Sequence, residues 1–550
     1  MKIVSAAEMQ ACDRATAERF GIPSFELMRH AAAAVAAFTR ERFPKANRIT
    51  VVCGRGNNGG DGMMAARLLG GQALHVTVVL LGSPDGLKGD AAEAWHRLQE
   101  AGNCRLVVIE DDEDLADHQG VFKADLIIDA VLGTGFKPPM RGLALAALEW
   151  VKANSAPVLA IDLPSGWAAD ETRGTVSDAV YPADAVVTFT APKPAHVFGE
   201  LTRRWNQPIL VAPIGSPDDL IQSELNLHWA GSAHELLHRP RVFDSNKGKY
   251  GHALVIGGTF GPAGGKAGAP AMTALAALRS GAGLVTAAVP APALPVVAGF
   301  APELMTIPLE ARDSGEVLLS SDPEKRNALL KGITVAAFGP GIGQSDGAAR
   351  FLEWLLSATT IPMVVDADGL NILAKSIELL ERVGSAGRTV VLTPHPGEMA
   401  RLAGMSIAEV QSDRLKAARD FAAKYGVTLV LKGAHTLIAH PSGRVAVNTT
   451  GNPGMAKGGS GDLLTGVIAG VLAQFPEEPE RAVEAAVYLH GLAADLCVGA
   501  GNEHTLLATD TLKQFSRAFN FRSTGRSGYV WLQGLPAGSS AAKGSCEAAE

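Results

Sequence analysis

The densest run of chemistry in this 550-residue chain is Asn448-Thr-Thr-Gly-Asn-Pro-Gly-Met-Ala-Lys-Gly-Gly-Ser-Gly-Asp462-Leu-Leu. After it, Leu463, Leu464, Val467, Ile468, Val471 and Leu472 recur at helical spacing and predict a helix over Asp462–Gln474. Gly458, Gly459 and Gly461 would then sit just before a helix N-terminus, where backbone N–H groups and the helix dipole stabilise phosphate charge. Asp462 reads two ways. In an isolated helix it is a cap and nothing more. Behind an anion loop it is placed to accept a hydroxyl proton while phosphate is transferred.

Other polar segments have the same character. Phe338-Gly-Pro-Gly-Ile-Gly343, Val365-Asp-Ala-Asp-Gly369, Thr393-Pro-His-Pro-Gly-Glu398 and Leu431-Lys-Gly-Ala-His-Thr436 each follow an apolar run of strand length. His395 alone would read as structural and Glu398 as a first-turn helix acid; their place among strand-end loops favours a site. In the first half, the glycine-rich stretch Gly54–Gly62 joins a strand to a helix. Its glycines Gly54, Gly56, Gly59, Gly60 and Gly62 would let the backbone turn sharply and approach a ligand. A glycine loop alone is weak evidence, but Asn57, Asn58 and Asp61 add side chains that a turn does not need. Two further loops, Asp129-Ala-Val-Leu-Gly-Thr-Gly-Phe-Lys137 and Asp162-Leu-Pro-Ser165-Gly, reach the same edge of a sheet, where ligands of open parallel sheets bind. Helix capping by Asp129 or Asp162 would explain one such loop, not all three together.

The elements that must hold these loops are legible as alternating strands and helices. Strand candidates are Ile49–Cys53, Val76–Leu81, Leu126–Leu132, Val158–Ile161 and Ala185–Phe189, with helices over Gly62–Leu69 and Asp90–Ala101. A second series starts near Gly251, with strands at Ala253–Ile256, Val335–Phe338, Met363–Val365, Val390–Leu392 and Leu429–Leu431. Its helices are Met272–Ser280, Ala348–Ser357, Gly397–Ala403, Ser412–Tyr425, Asp462–Gln474 and Pro479–Val498. Such alternation predicts an α/β fold with parallel sheets covered on both faces. The domains are expected at 1–220 and 235–520. Residues 523–550, Gly/Ser/Ala-rich and aperiodic, are expected to form a flexible, dispensable tail.

Bulk properties limit the function. With 47% hydrophobic and 19% charged residues, two large cores are easily supplied. A net charge of −7 argues against a general nucleic-acid binder. The five cysteines include no CxxC pair and read as thiols in a reducing compartment. The first residues lack a signal-peptide core, and the longest apolar region, Leu284–Phe300, carries three prolines. No membrane association is expected, and a cytoplasmic location is.

GRGNNGGDG, DAVLGTGF, IDLPSG and YPADAVVTFTAPKPAH, over roughly residues 1–215, resemble the epimerase domain of the bifunctional NAD(P)H-hydrate repair enzymes. The segments around GGSGD and GGTFGPAGGKAGAPAMTALAALRSGAGLVT, over about 240–515, resemble the ribokinase-like ADP/ATP-dependent NAD(P)H-hydrate dehydratases. The resemblance implies a Rossmann-like parallel-sheet sandwich followed by a ribokinase-like α/β domain. It implies that the first epimerises the R and S forms of hydrated NADH and NADPH (NADHX and NADPHX). The second would dehydrate the S form by phosphorylating the C6 hydroxyl from ADP, with magnesium, and eliminating phosphate.

By position, the implied epimerase contacts are Asn57, Asn58, Gly59, Gly60 and Asp61, then Gly133, Thr134, Gly135, Phe136, Lys137, Pro138 and Pro139, and Asp162. Asp162 is the candidate acid–base group, and Asn58, Asp129 and Ser165 are the implied potassium ligands, oxygen donors suited to a hard cation. In the dehydratase, Ala269, Gly343, His395 and Asp462 would touch the hydrate, with Asp462 as base. Lys432, Gly433, Ala434, His435, Thr436 and Gly461 would touch the nucleotide. Small-molecule substrates and a homo-oligomer are expected. Two other readings stay open at this stage: a ribokinase-like vitamin-precursor kinase with an accessory domain, and a first half that only binds.

Overall fold

The computed structural model describes the chain apart from residues 73, 175–178, 263, 385–386, 500, 526 and 537–550. It divides into two compact units. One is Met1–Leu227 with the segment that begins at Arg522; the other is His228–Phe521.

In the first unit, short apolar runs too short for helices become parallel strands: β1 (Arg48–Cys53), β2 (His75–Leu81), β3 (Arg105–Ile109), β4 (Leu126–Ala130), β5 (Val158–Ile161), β6 (Ala185–Phe189) and β7 (Ile209–Ala212). Their spatial order is β7-β6-β5-β4-β1-β2-β3. Alternate residues of β1 feed opposite cores. Val51 and Cys53 pack with Met63, Ala66 and Val35 of the helices Asn57–Gly70 and Ser24–Arg42, whereas Val52 packs with Leu148 and Val151 of the helix Leu143–Lys152. This two-sided burial explains why the strands read as continuous apolar runs. Strand order reverses between β1 and β4, so the loops after these strands diverge there and open a crevice at their C-terminal ends.

The second unit contains β8 (Leu227–Trp229), β9 (His252–Ile256), β12 (Leu284–Pro290), β13 (Met305–Leu309), β14 (Val335–Phe338), β15 (Met363–Val365), β16 (Val390–Leu392), β17 (Thr428–Leu431), β18 (Leu437–Ala439) and β19 (Val445–Val447) in one sheet. Two-residue strands β10 (Phe260–Gly261) and β11 (Gly264–Gly265) pair separately. The sheet order is β13-β12-β9-β14-β15-β16-β17-β18-β19-β8. From β13 to β17 all neighbours are parallel, and β17-β18-β19 continue as an antiparallel meander. The apolar region Leu284–Phe300 is not one element: β12 ends on Pro290, and a short helix, Leu294–Ala298, follows. Among the described residues, no helix is long and apolar enough to cross a membrane.

The flexible-tail expectation is corrected here. Strand β20 (Val530–Gln533) pairs antiparallel with β7 and extends the first sheet. Trp531 is 5% exposed, inside the first unit's core, with its ring 6.1 Å from that of Phe38. The run YVWLQ is short, but its Tyr, Val and Trp are residues that favour strands. Gly and Ser around it hid that pattern. The rest of the expected tail, 537–550, lies outside the described residues.

Candidate active sites

A cavity of about 770 Å³ opens at the β1/β4 crevice of the first unit, a volume suited to a nucleotide-sized ligand. The helix that follows β1 begins at Asn57 instead of Gly62, so Asn57 and Asn58 lie in its first turn, Asp61 follows directly after it, and all three line the cavity. Gly59 and Gly60 are buried behind them. These glycines are needed for close approach, not for turning. A methyl group on Gly59 would fall 1.9 Å from the Gly54 carbonyl oxygen, and none of the loop's glycines has a left-handed φ.

Asp162, after β5, also lines the cavity, in a left-handed backbone conformation (φ 66°). Its Oδ1 accepts from Thr188 Oγ1 (2.8 Å) and Lys193 Nζ (3.0 Å), and its Oδ2 from the Thr134 backbone N–H (3.0 Å). The Lys193 ammonium also donates to Thr188 Oγ1 (2.9 Å) and to the Phe189 carbonyl (3.4 Å). Burial alone would raise the Asp162 pKa, but the Lys193 charge above all, with these hydrogen bonds, brings it down to about 2. His196 Nδ1 accepts from the Lys193 N–H, so its Nε2 carries the proton and donates to the Asp162 carbonyl (2.7 Å). Burial holds this imidazole neutral, at about 4.

Beneath the cavity, Asp129 at the end of β4 is fully buried. It accepts from Ser165 Oγ (2.6 Å), the Ser165 N–H (2.7 Å) and the Val131 N–H (3.2 Å). Burial raises its pKa to about 6, against these hydrogen bonds. The Asn58 amide nitrogen is buried without a partner, and the Asn58 side chain packs against Gly133 on the same loop system. The Asp129 carboxylate and the Ser165 hydroxyl are oxygen donors of the kind a hard cation takes.

In the second unit, the loops after the adjacent parallel strands β9, β14, β15, β16 and β17 meet at one sheet edge. The anion helix is Ser460–Gln474, capped by Gly459 at φ 96°, a conformation that glycine alone adopts without strain. Gly461 and Asp462 therefore lie in its first turn, and Asp462 is not the N-cap. Lys432, after β17, reaches this turn: a methyl group on Gly461 would lie 3.5 Å from its Nζ. The same ammonium bonds Asp366 Oδ1 (2.9 Å), after β15, and lies 3.8 Å from Glu398. Asp366 Oδ2 in turn accepts from Thr465 Oγ1 (2.7 Å) on the anion helix. Burial, then the nearby Asp366 charge, raises the Asp462 carboxyl to about 6 against the pull of Lys432 and Lys266.

Around this centre, Thr273 Oγ1 contacts both the Ala269 and the Asp462 carbonyl oxygens, at 2.9 and 3.0 Å, joining the helix Gly268–Arg279 to the anion helix. Asp368 Oδ2 accepts from the Gly343 N–H (2.9 Å) and faces Lys266 Nζ (3.3 Å). His395 caps the helix Pro396–Ala403 through Nδ1, with its Nε2 3.6 Å from Glu398. In the loop after β17, Arg414 donates to the Ala434 carbonyl, and Thr436 Oγ1 donates to that of Gly433. Among the described residues, five non-glycines have left-handed φ. Four of them, Asp162, Thr190, Ala367 and His435, stand in these two sites, where stored strain commonly marks function.

The first family model that matches, over residues 24–195, is the YjeF-related protein N-terminus; the second, over 253–517, is NAD(P)H-hydrate dehydratase. The bifunctional NAD(P)H-hydrate repair enzyme Nnr of Moorella thermoacetica is 38% identical over 527 residues, 93% of this chain and 95% of its own length. That of Coxiella burnetii is 40% identical over 494 residues, 89% of this chain and 94% of its own. The chain belongs to the bifunctional NAD(P)H-hydrate repair enzyme family. A crystal structure of the Bacillus subtilis ADP/ATP-dependent NAD(P)H-hydrate dehydratase, co-crystallized with ATP/Mg2+, is 32% identical, with a TM-score of 0.42. It covers 52% of this chain and 96% of that one.

With the family established, the fate of each expected site residue is specific. Asn57, Asn58, Asp61, Gly133, Thr134, Gly135, Phe136 and Asp162 line one cavity, while Lys137, Pro138 and Pro139 continue their loop exposed and outside it. Asp129 and Ser165 are brought into direct contact. Lys432, Gly461 and Asp462 cluster at the anion helix, and the loop from Gly433 to Thr436 follows directly from Lys432. The sequence reading gave no role to Thr188, Lys193 and His196, though all lie in the recognised stretch YPADAVVTFTAPKPAH. A lysine and a histidine three residues apart just past a strand end were the available signal. It likewise gave no role to Asp366, Asp368 and Lys266, although VDADG was noted.

Proposed function

We propose that the first unit interconverts the R and S forms of hydrated NADH and NADPH, and that the second dehydrates the S form at the expense of ADP, releasing AMP and phosphate. The protein is thus a bifunctional metabolite-repair enzyme, an isomerase joined to a lyase. The observation that carries this reading is a carboxylate-lined cavity and an anion helix with a poised carboxylate, joined in one chain related over nearly its full length to repair enzymes. That full-length relation favours repair over a vitamin-precursor kinase.

In the dehydratase, Asp462 takes the C6 hydroxyl proton as that oxygen attacks the terminal phosphoryl group of the nucleotide. The N–H groups at the start of the anion helix and the Lys432 ammonium balance the phosphate charge. Loss of phosphate together with a ring proton then restores the nicotinamide double bond. Burial favours neutral Lys432, but Asp366, Glu398 and Asp462 raise its pKa and keep it charged for this task. Ala269, Gly343 and His395 border the hydrate, and Gly433, Ala434, His435 and Thr436 border the nucleotide. Magnesium, which is usually held by substrate phosphates and few carboxylates, would arrive with the nucleotide phosphates.

In the epimerase, potassium held by Asn58, Asp129 and Ser165 would fix the loops after β4 and β5 under the substrate. Asp162, with both oxygens occupied and a pKa of about 2, is a poor proton acceptor; its role is to hold Lys193 and Thr134 in place. The test is incubation of mixed R and S hydrates with ADP, with ATP, and without nucleotide, following the epimer ratio and NADH recovery separately. Epimer exchange without nucleotide and NADH recovery only with it support the reading. Phosphorylation of vitamin alcohols in place of hydrate consumption would refute it.

A further inference from the structure

The cavity of the first unit is lined by more carboxylates than its loops after β1 and β5 provide. Asp13, on the helix Ala6–Phe20, enters it from a part of the chain far from Asp61 and Asp162. Its Oδ1 is buried without a hydrogen-bond partner. Two other atoms of cavity-lining residues share that condition, the Thr190 hydroxyl and the Asn58 amide nitrogen. Buried polar atoms left unpaired at a cavity wall are groups that a ligand or water satisfies.

Two neighbours of Asp13 at the sheet edge are committed elsewhere. Asp162 accepts at both oxygens, and the Lys193 ammonium donates to Asp162, Thr188 and Phe189. Neither has a free site for exchanging a proton with substrate. Resting on the epimerase reading, we propose that Asp13 is the proton-exchanging carboxyl of the cavity, acting directly on the C6 hydroxyl of the hydrate.

C6 carries both the hydroxyl and the ring nitrogen. The Asp13 carboxyl gives its proton to the hydroxyl, and the C6–O bond breaks with its electron pair going to oxygen, which leaves as water. The nitrogen lone pair forms a C=N bond and leaves a planar cation, stabilised by the surrounding negative charge. Water adds to the opposite face and its surplus proton returns, directly or through water, to the Asp13 carboxylate. The hydroxyl ends on the other face with no net oxidation.

The electrostatics separate the carboxylates. Burial raises Asp13 to about 6, with Asp162 adding to the rise while Lys193 and Arg14 oppose it. Asp61 is pushed well above the usual range by burial, then by Asp162, Asp13 and Asp90. Asp162 at about 2 and Asp13 at about 6 are set apart, in keeping with the exchange role that its unpaired Oδ1 at the cavity wall gives Asp13. The charged groups facing Asp13 are Arg14 and Glu18 on its own helix, Asp61 and Asp90 on the two helices opposite, and Asp162 and Lys193 at the sheet edge.

The test uses the full-length chain and the purified S hydrate of NADH, following the R epimer by chromatography across pH. Asp13→Asn should lower kcat by about 10²–10⁴ with little change in KM. Wild-type kcat should fall as pH rises through about 6, where Asp13 loses its proton, and the variant should lose this dependence. Asp13→Glu should recover part of the rate, and Asp13→Ser should reproduce the loss; dehydratase activity and melting temperature in the same samples report folding. A wild-type enzyme that epimerises beside an Asp13→Asn variant with equal kcat, or with the wild-type pH profile, overturns the Asp13 assignment alone. A folded wild-type chain that leaves the epimers at the uncatalysed rate overturns the epimerase reading and this assignment together.

Discussion

Asp462 needs to lose its proton before it can accept one. Burial and Asp366 place its pKa at about 6, above the ordinary carboxylate value, so the ionised base is present above that pH and lost as pH falls through it. Dehydration should therefore slow on the acid side of about pH 6, while hydrate epimerisation measured in the same samples keeps its own profile. Asp462→Asn preserves shape but cannot accept the proton, and NADH recovery should fall by about 10²–10⁴. Nucleotide binding should persist, because the backbone donors of the anion helix are unchanged and the substituted residue is not its N-cap. Calorimetric ADP titration beside steady-state assays checks both parts; normal NADH recovery would remove Asp462 from the mechanism. At Asp129 the expected effect differs. Asp129→Ala removes the only full negative charge among the proposed potassium ligands, so half-saturation by potassium in the epimerase assay should rise markedly. An epimerase equally fast without potassium would dismiss the ion site.

The edge strand β20 ties the end of the described chain into the first unit's core. Trp531 fills the first unit's core beside Phe38. Trp531→Ala should cost about 3–5 kcal/mol, the usual range for truncating a buried aromatic. In a unit of this size that lowers the melting temperature by roughly 6–20 °C, readable by calorimetry. An unchanged transition would mean that β20 does not pack in solution. The strand is short and bordered by glycine and serine, so its contribution depends on β7 supplying a partner; in isolation so brief an apolar run does not specify a strand.

At the scale of the whole molecule, the first unit is discontinuous, closed by a strand that follows the second unit in sequence. A fragment of Met1–Leu227 exposes the β7 edge and should melt below the same unit in the full chain. Appending residues 522–536 to that fragment should restore the difference. Equal melting of the fragment with and without the appended strand would contradict this construction.

How far the sequence carried follows from which signals are local. Strands such as Val158–Ile161 and Val335–Phe338, and the helix Pro479–Val498, are runs whose period and bounds are written in neighbouring residues, and they appear where expected. The strand-end loops were legible for the same reason, since each follows its strand directly. Helix starts were displaced toward the N-terminus, at Asn57 and Ser460, because glycine lowers intrinsic helix propensity while close packing in the fold demands it. Strand order, which brings the loops after β9, β14, β15, β16 and β17 to one edge, is set by long-range pairing that no local pattern encodes. The Lys193–Asp162 pair, the Lys432–Asp366–Thr465 chain and the entry of Asp13 into the first cavity are tertiary facts of the same kind. A charged residue's partner and pKa depend on what folding buries beside it, so residue type was available from the sequence and chemical state only from the structure.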